Sequence, residues 1–303
     1  ELIATLKERY GDNLTYKEAT QDFCGSRLTR SPKGALSFDL EKYILKTVQL
    51  AGLENEPGAT APSREDLFDA PTDPSPADQP IYSNLMGKLT FIAQVRYDVV
   101  KEATHLAKVI SAPTVSDMEK LVLVIRYLHY TSGDGPTYYS EEGVVLYAWV
   151  DVAFAVHING RSQTGYYLCI GRDSAPFYAR AEEQKSCIAL GPSEGEYVGM
   201  SEVSKAIIRF RQVLAAIGFP QQGPTTMLED SNSAIKLAEG PSIKRKSKHI
   251  FVREHIVRDL LRQDITSLEK VPTAQHNADI LTKPKTPTKH IFEAERLLNK
   301  SHK

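Results

Sequence analysis

Four acidic residues in the second half of the chain stand where strands end or helices begin: Asp151, Glu196, Asp230 and Asp279. Carboxylates from separate elements that meet at one end of a sheet can hold hard divalent cations. Mg²⁺ takes oxygen ligands in near-octahedral geometry and keeps room for waters and phosphate oxygens. Two such ions, roughly 3.5–4 Å apart, activate a water and stabilise the leaving oxygen in phosphodiester hydrolysis. Each acid also has a purely structural reading. Ser193 and Glu196 have the spacing of a capping box. Asp230 can cap the helix that follows it, and Asp279 can complement a helix dipole. Spacing alone leaves both readings open.

The elements that must carry these acids are legible from pattern. Val144–Val156 is an unbroken apolar run rich in Val, Tyr, Trp and Phe, interrupted by Asp151. Its β-branched and aromatic content and the Asn159-Gly160 turn after it predict a buried strand. An unpartnered carboxylate inside such a strand costs several kcal/mol, so Asp151 needs a partner or a metal. Gln163–Ile170 and Ala175–Ala179 follow as strands of an antiparallel meander, separated by the turn at Gly171–Ser174. The spacing then predicts a long helix over Ser193–Ile217 and a strand at Thr225–Glu229. Helices at Asn232–Glu239 and Lys248–Arg262 follow, then a strand at Ile265–Val271 and helical segments at Ala278–Lys283 and Ile291–Leu298. That order describes a mixed sheet with helices on both faces, an α/β domain.

The first half reads differently. Leu2–Arg9 has helical spacing, Phe23–Leu28 and Ala35–Phe38 form a hairpin signal around Ser31-Pro-Lys-Gly34, and Leu40–Ala51 reads as a helix. Residues 54–80, rich in Pro, Asp and Ala, read as an extended linker able to wrap a surface. Three helices follow near Ser83–Val95, Asp98–Ile110 and Ser116–Thr131, the last with Ser116 and Glu119 placed as a capping box.

Composition sets bounds. The chain has 303 residues with a formal net charge of −1, so any basic surface is local. Cys24, Cys169 and Cys187 have no CxxC spacing, which argues against structural zinc and a disulfide framework and for a reducing, intracellular setting. There is no apolar run long enough to span a membrane and no signal peptide pattern. Beginning at Glu1, the chain reads as a piece of something longer.

Five segments carry a resemblance. Trp149-Val-Asp-Val-Ala-Phe-Ala-Val-His157 with Arg161-Ser-Gln-Thr-Gly165 resembles the aspartate strand and Arg-Ser-x-Thr-Gly turn of the ribonuclease H domain in copia-type LTR retrotransposon Pol polyproteins. Ala189-Leu-Gly-Pro-Ser-Glu-Gly-Glu-Tyr197 resembles Ala-Leu-Ser-Ser-Thr-Glu-Ala-Glu-Tyr, and Glu229-Asp-Ser-Asn-Ser-Ala-Ile235 resembles Asp-Asn-x-Ser-Ala-Ile. Ser247-Lys-His-Ile250 with Glu254-His-Ile-Val-Arg258 resembles Thr-Lys-His-Ile…His-Phe-Ile-Arg, and Ala278-Asp-Ile-Leu-Thr-Lys283 resembles Ala-Asp-x-Leu-Thr-Lys. In the first half, Tyr16–Gly52 and the stretch from Tyr82 to Asp98 resemble the end of a reverse transcriptase and its thumb and connection region.

The resemblance implies a ribonuclease H-like fold with a five-stranded mixed sheet, preceded by a small, mostly helical remnant. It divides the chain into the end of the palm and thumb (1–53), a linker (54–80), a helical connection region (81–140) and the ribonuclease H-like domain (141–303). It implies that Asp151, Glu196, Asp230 and Asp279 are the metal ligands and catalytic acids for two Mg²⁺ ions, with Mn²⁺ as a substitute, and that the RNA strand of RNA–DNA hybrids is cut. Nucleic-acid contacts would fall on Arg161, Ser162, Asn232, Lys244, Arg245, Lys246, Lys248 and His249. The basic run 244–249 taken alone reads equally as a solvated face. His276 stands three residues before Asp279, where it is either a proton carrier or an ordinary loop histidine. The expected partners are an RNA–DNA hybrid and the remainder of the reverse transcriptase, in a cytoplasmic virus-like particle with room for a nuclear stage. No membrane is expected, and the oligomeric state is open. No Tyr-x-Asp-Asp motif occurs, so polymerisation is not expected. Where the family carries Lys-Lys-Gln, this chain has Ala181-Glu-Glu-Gln184. That change motivates a second reading, a non-catalytic or host-recruited nucleic-acid-binding module. An integrase-like or other nuclease of the same fold is a third.

Overall fold

A computed structural model describes residues 8, 11, 22–23, 25–141, 143–185, 188–240 and 251–300. The expected helix at Leu2–Arg9 falls almost wholly outside these residues, as do Cys24, Cys187 and the basic run 244–249.

The first unit opens with a small antiparallel sheet: β1 (Asp22–Phe23), β2 (Ser26–Arg30) and β3 (Leu36–Asp39). Gly34, at φ +89°, closes the β2–β3 turn, a conformation that suits a residue without Cβ. Helix α1 (Glu41–Leu50) follows and buries Ile44, Thr47 and Val48. Residues 54–80 do not stand off from the unit. They run against it, with a 3₁₀ turn at Glu65–Phe68 that buries Leu67 and Phe68, and Pro76 bridges Thr114. Helices α2 (Gln79–Ile92), α3 (Val100–Ala107) and α4 (Val115–Tyr130) come next, and β4 (Thr137–Tyr138) returns to pair with β3. One apolar core joins α1 to these helices through Leu40, Ile44 and Val48 against Leu85, Leu89, Leu121 and Leu128. The capping box of α4 uses Thr114 and Asp117, not Ser116 and Glu119. Ser116 is diverted: its hydroxyl accepts the Asp73 N–H at 2.8 Å and ties the 54–80 stretch to the helix.

The second unit contains β5 (Leu146–Ala153), β6 (Gln163–Ile170), β7 (Pro176–Glu183), α5 (Pro192–Ala216), β8 (Thr225–Glu229), α6 (Asn232–Glu239), α7 (Phe251–Arg262), β9 (Thr266–Lys270) and α8 (Pro287–Leu297). A 3₁₀ segment, Asn277–Leu281, precedes α8. The strands lie in the order β7-β6-β5-β8-β9. β5, β6 and β7 are antiparallel neighbours, while β5, β8 and β9 run parallel. This order with these directions is the ribonuclease H-like arrangement. β7 extends four residues beyond the expected Ala175–Ala179 end, because Gly165 and Gln163 continue to pair with Ala181 and Glu183. Small alanines face inward there, so no large apolar residue marks the strand.

The sheet is covered on both faces. Leu146, Ala148, Val150 and Met227 pack against α5, α6 and α7 through Tyr197, Met200, Ala234 and Val257. On the other face Trp149, Tyr167 and Leu228 meet Ile280, Leu281 and Leu297. Among the described residues no helix is long and apolar enough to cross a membrane.

Candidate active site

Strand alternation sends Asp151 to the face of Trp149, opposite Val150, at the end of β5 beside β8. Two glycines bring the neighbouring elements down to it. Gly199 of α5 lies so close to the sheet that a Cβ there would sit 2.7 Å from Val152 Cγ2. The helix therefore rests directly on β5 and delivers Glu196 from its second turn. Gly165 of β6 pairs with Asp151, and a Cβ on it would sit 2.5 Å from Leu281 Cβ and 2.8 Å from Thr282 Cγ2. The bare Gly165 backbone lets the Leu281–Thr282 segment cross the sheet, and the Thr282 hydroxyl donates to Asp151 Oδ2.

Asp151, Glu196 and Asp230 each present a carboxylate oxygen within 4.8 Å of the others. The structural readings of two of them fail. The residue before α5 is Gly191, with no side-chain cap, and Ser193 and Glu196 form no capping box. The cap of α6 is Ser231, whose hydroxyl accepts the Ala234 N–H, which leaves Asp230 free of that task.

Crowded, buried acids resist ionisation. Burial pushes the Glu196 carboxyl up to about 11, helped by the charges of Glu229, Asp151 and Asp230. Its Oε2 is buried without a hydrogen-bond partner. Burial also raises Asp151. The nearby His276 and the Thr282 hydroxyl oppose that rise, and Asp279 adds to it.

Glu229 was not singled out in the sequence. It is wholly buried and lies behind Asp230 on the α5 side of the sheet, the face of Met227. Its Oε1 accepts the N–H groups of Asp230 at 3.1 Å and Ser231 at 2.9 Å, while Oε2 has no partner. Burial and the charges of Asp230 and Asp151 lift it to about 8. Two adjacent acids after an apolar strand were the only available signal.

Asp279 departs from the expectation that it joins the other three. It is near enough to Asp151 to influence its ionisation, but its oxygens are taken by lysines. Lys285 contacts Oδ2, Lys283 lies 3.2 Å from Oδ1 and Lys289 3.4 Å from Oδ2. Burial alone would raise Asp279; Lys285 and Lys283 outweigh it and hold the carboxyl well below the usual range. The Lys283 side chain is about half exposed, and its ammonium is near enough to Asp151 and Glu196 for their charges to help raise its pKa. His276 is buried against Trp149, with ring centroids 5.7 Å apart.

The expected nucleic-acid contacts divide. Asn232 is exposed at the first turn of α6, two residues from Asp230. Arg161 donates to Lys185 O at 2.9 Å and Gln184 O at 3.3 Å and so ties the β5–β6 turn to the loop after β7. Ser162 is buried, and its hydroxyl accepts the Ala155 N–H at 3.1 Å, which holds the turn after β5. Lys244, Arg245, Lys246, Lys248 and His249 lie outside the described residues.

The chain is 25% identical over 294 residues to the retrovirus-related Pol polyprotein from transposon TNT 1-94 of Nicotiana tabacum, covering 93% of this chain and 22% of the relative. It is 24% identical over 295 residues to the retrovirus-related Pol polyprotein from transposon RE1 of Arabidopsis thaliana, covering 94% and 20%. This chain is similar to transposon Pol polyproteins along nearly its whole length. The similarity takes in the helical unit as well as the sheet unit, in agreement with the copia-type resemblance carried by the motifs. The chain spans about a fifth of the length of the curated relatives it matches. Among solved structures, a ribonuclease H1 from Halobacterium salinarum matches 45% of this chain and 93% of its own, at 20% identity and a TM-score of 0.33. LC11-RNase H1 in complex with an RNA/DNA hybrid matches the same shares at 13% identity and a TM-score of 0.32. No family model matches the chain.

Proposed function

We propose that the chain is a divalent-cation-dependent endoribonuclease that hydrolyses the RNA strand of RNA–DNA hybrids during retrotransposon reverse transcription. The convergence of Asp151, Glu196 and Asp230 oxygens within 4.8 Å of one another carries this reading.

The donor set fits a hard cation. All three residues offer oxygen, none is ion-paired in the described structure, and Glu196 keeps a buried oxygen without a partner. That is the chemistry of Mg²⁺, with Mn²⁺ as a substitute. When bound, such ions lower the pKa of a water and neutralise charge developing on a phosphodiester. The chain's own residues prepare the site. Thr282 orients Asp151, and Glu229 fixes the backbone that presents Asp230. Glu196, whose carboxyl burial and the neighbouring acids hold protonated, would have to give up that proton to serve as a ligand. Lys283, half exposed and paired with Asp279, is available to a substrate phosphate, which can share its ammonium with that acid. In this reading Asp279 contributes through its lysines and Asp151 through direct ligation.

The transposon relatives support a polyprotein setting; the rest of a reverse transcriptase as partner and a cytoplasmic particle as location belong to the proposal. The alternative binding-module reading draws on Glu182, which is half exposed on β7 and paired with Arg180. Strand-labelled substrates separate the two. The nuclease reading expects Mg²⁺-dependent cutting of the RNA strand in a hybrid and none in duplex DNA. Hybrid binding at micromolar protein with no cutting in Mg²⁺ or Mn²⁺ would favour the binding module.

A further inference from the structure

Lys101, in the first turn of α3, is buried to 1% exposure between the two units. An ammonium offers three N–H donors, and burying it is costly unless all three are used. Lys101 Nζ donates to Ile280 O at 3.1 Å and to Lys283 O at 2.9 Å, and the Glu102 carboxylate, with Oε1 3.1 Å away, compensates its charge. Glu102 is itself buried, and its Oε1 also accepts the Ser63 hydroxyl at 2.6 Å. The two carbonyls bracket Leu281 and Thr282. Asp279 directly precedes the bracketed stretch, Thr282 within it reaches Asp151, and Lys283 at its end reaches Asp279.

We infer that Lys101 is a positioning residue for the carboxylate site: through it the helical unit sets where the Ile280–Lys283 segment lies over the sheet. Other contacts already dock the two units. The Tyr97 hydroxyl donates to Phe177 O at 2.8 Å, Lys108 pairs with Glu183 at 2.8 Å, and Phe68 packs against His157. These grip β7 and the turn after β5, not the segment over the site. Only Lys101, among the described contacts from α3, holds that segment by its backbone. The sheet unit alone therefore contains every acid of the site but not the group that fixes Thr282 and Lys283. The consequence for cleavage rests on the nuclease reading above; the consequence for the segment does not.

The test uses the full chain with Lys101→Met, and with Lys101→Met/Glu102→Gln, which removes the acid that the first variant leaves buried without a counter-charge. Lys108→Ala is the control for docking. Amide hydrogen exchange reads the segment directly. In both Lys101 variants exchange over residues 278–285 rises about tenfold or more, while residues 176–183 keep their protection. The Glu102→Gln change restores the melting temperature toward that of the parent but not the protection of 278–285. Lys108→Ala leaves 278–285 unchanged. On hybrid substrate kcat falls about tenfold to a hundredfold in the Lys101 variants with KM within about twofold, as expected when reacting groups are misplaced without loss of binding. Unchanged exchange over 278–285 overturns the inference. So does loosening of 176–183 to the same degree, which would make Lys101 a general docking residue. If the parent chain cleaves no hybrid, the nuclease reading fails and the exchange measurement still decides the role of Lys101.

Discussion

Thr282 donates its hydroxyl to Asp151 from directly above Gly165, the residue that pairs with Asp151 across β5 and β6. One side chain is oriented because a second residue has none. Gly165→Ala places a methyl 2.5 Å from Leu281 Cβ and 2.8 Å from Thr282 Cγ2, and the segment must lift. The expected cost is about 1–3 kcal/mol from overpacking. Urea unfolding reads that loss, and hybrid cleavage should fall with it. Thr282→Val, which keeps the shape and removes the bond, should lower cleavage while costing about 1 kcal/mol of stability or less. Equal activity in both variants would separate Thr282 from the site.

The acids make a pH prediction. The folded-state carboxyls of Glu229 and Glu196 are raised, to about 8 and about 11, above an ordinary value of 4.5. A raised acid stabilises the fold below its unfolded pKa, and that contribution is lost as pH climbs toward the folded value. The cation-free protein should therefore weaken from about pH 5 upward through pH 8. Mg²⁺ binds the deprotonated acids and opposes the loss. Melting with and without Mg²⁺ at pH 5.5 and pH 8.5 checks this. The Mg²⁺-induced rise in Tm should be larger at the higher pH and should shrink in Glu196→Gln.

Two histidines, His290 buried and His105 half-buried, act in the opposite window. Burial holds His290 down to about 3 and His105 to about 4, with Lys101 and Lys108 adding to the effect respectively. The unfolded chain takes up these protons near pH 6.5, so stability should be lost as pH falls from about 6.5 to about 4. For His105 the full swing is about 3 kcal/mol. His105→Phe should flatten the acid side of a stability–pH curve measured by denaturant; a curve of unchanged slope would remove His105 from the account.

The sequence segment Arg96-Tyr-Asp98 becomes a closed network. Arg96 and Asp98 are both fully buried, joined at 2.9 and 2.7 Å. The Tyr127 hydroxyl donates to Asp98, and Arg96 also donates to Thr131 O. Arg96→Leu leaves Asp98 charged and buried, and should cost about 3–5 kcal/mol. Asp98→Asn in the same background should recover part of that. A loss below 1 kcal/mol in Arg96→Leu would contradict the network.

Some of this was readable before any coordinates. Strand β6 has the bounds that its turn signals set, because Asn159-Gly160 and Gly171 punctuate the chain chemically, and β8 also spans the expected Thr225–Glu229. Asp151, Glu196 and Asp230 were legible because each ends or begins an element. Glu229 was not. Its importance depends on α5 lying flat on the sheet, which depends on Gly199 meeting Val152, a contact made over long sequence separation. The pairing of Asp279 with lysines was hidden for a similar reason. Lys285 and Lys289 follow a proline, and no helical periodicity relates them to it. Ser116 had the right type and spacing for a cap, but Asp73 claimed its hydroxyl from the far end of the 54–80 stretch. Local chemistry fixed the elements, and tertiary approach fixed which polar groups faced one another.

The central claim is that Asp151, Glu196 and Asp230 form a cation site that cleaves RNA in a hybrid. The most direct measurement is cleavage of a strand-labelled RNA–DNA hybrid by the purified chain in Mg²⁺ and in EDTA, beside Asp151→Asn and Asp230→Asn. The account predicts Mg²⁺-dependent cutting of the RNA strand alone, abolished by EDTA and reduced at least about a hundredfold in either variant, with the far-ultraviolet spectrum unchanged. Full activity in a folded Asp151→Asn or Asp230→Asn protein would contradict it.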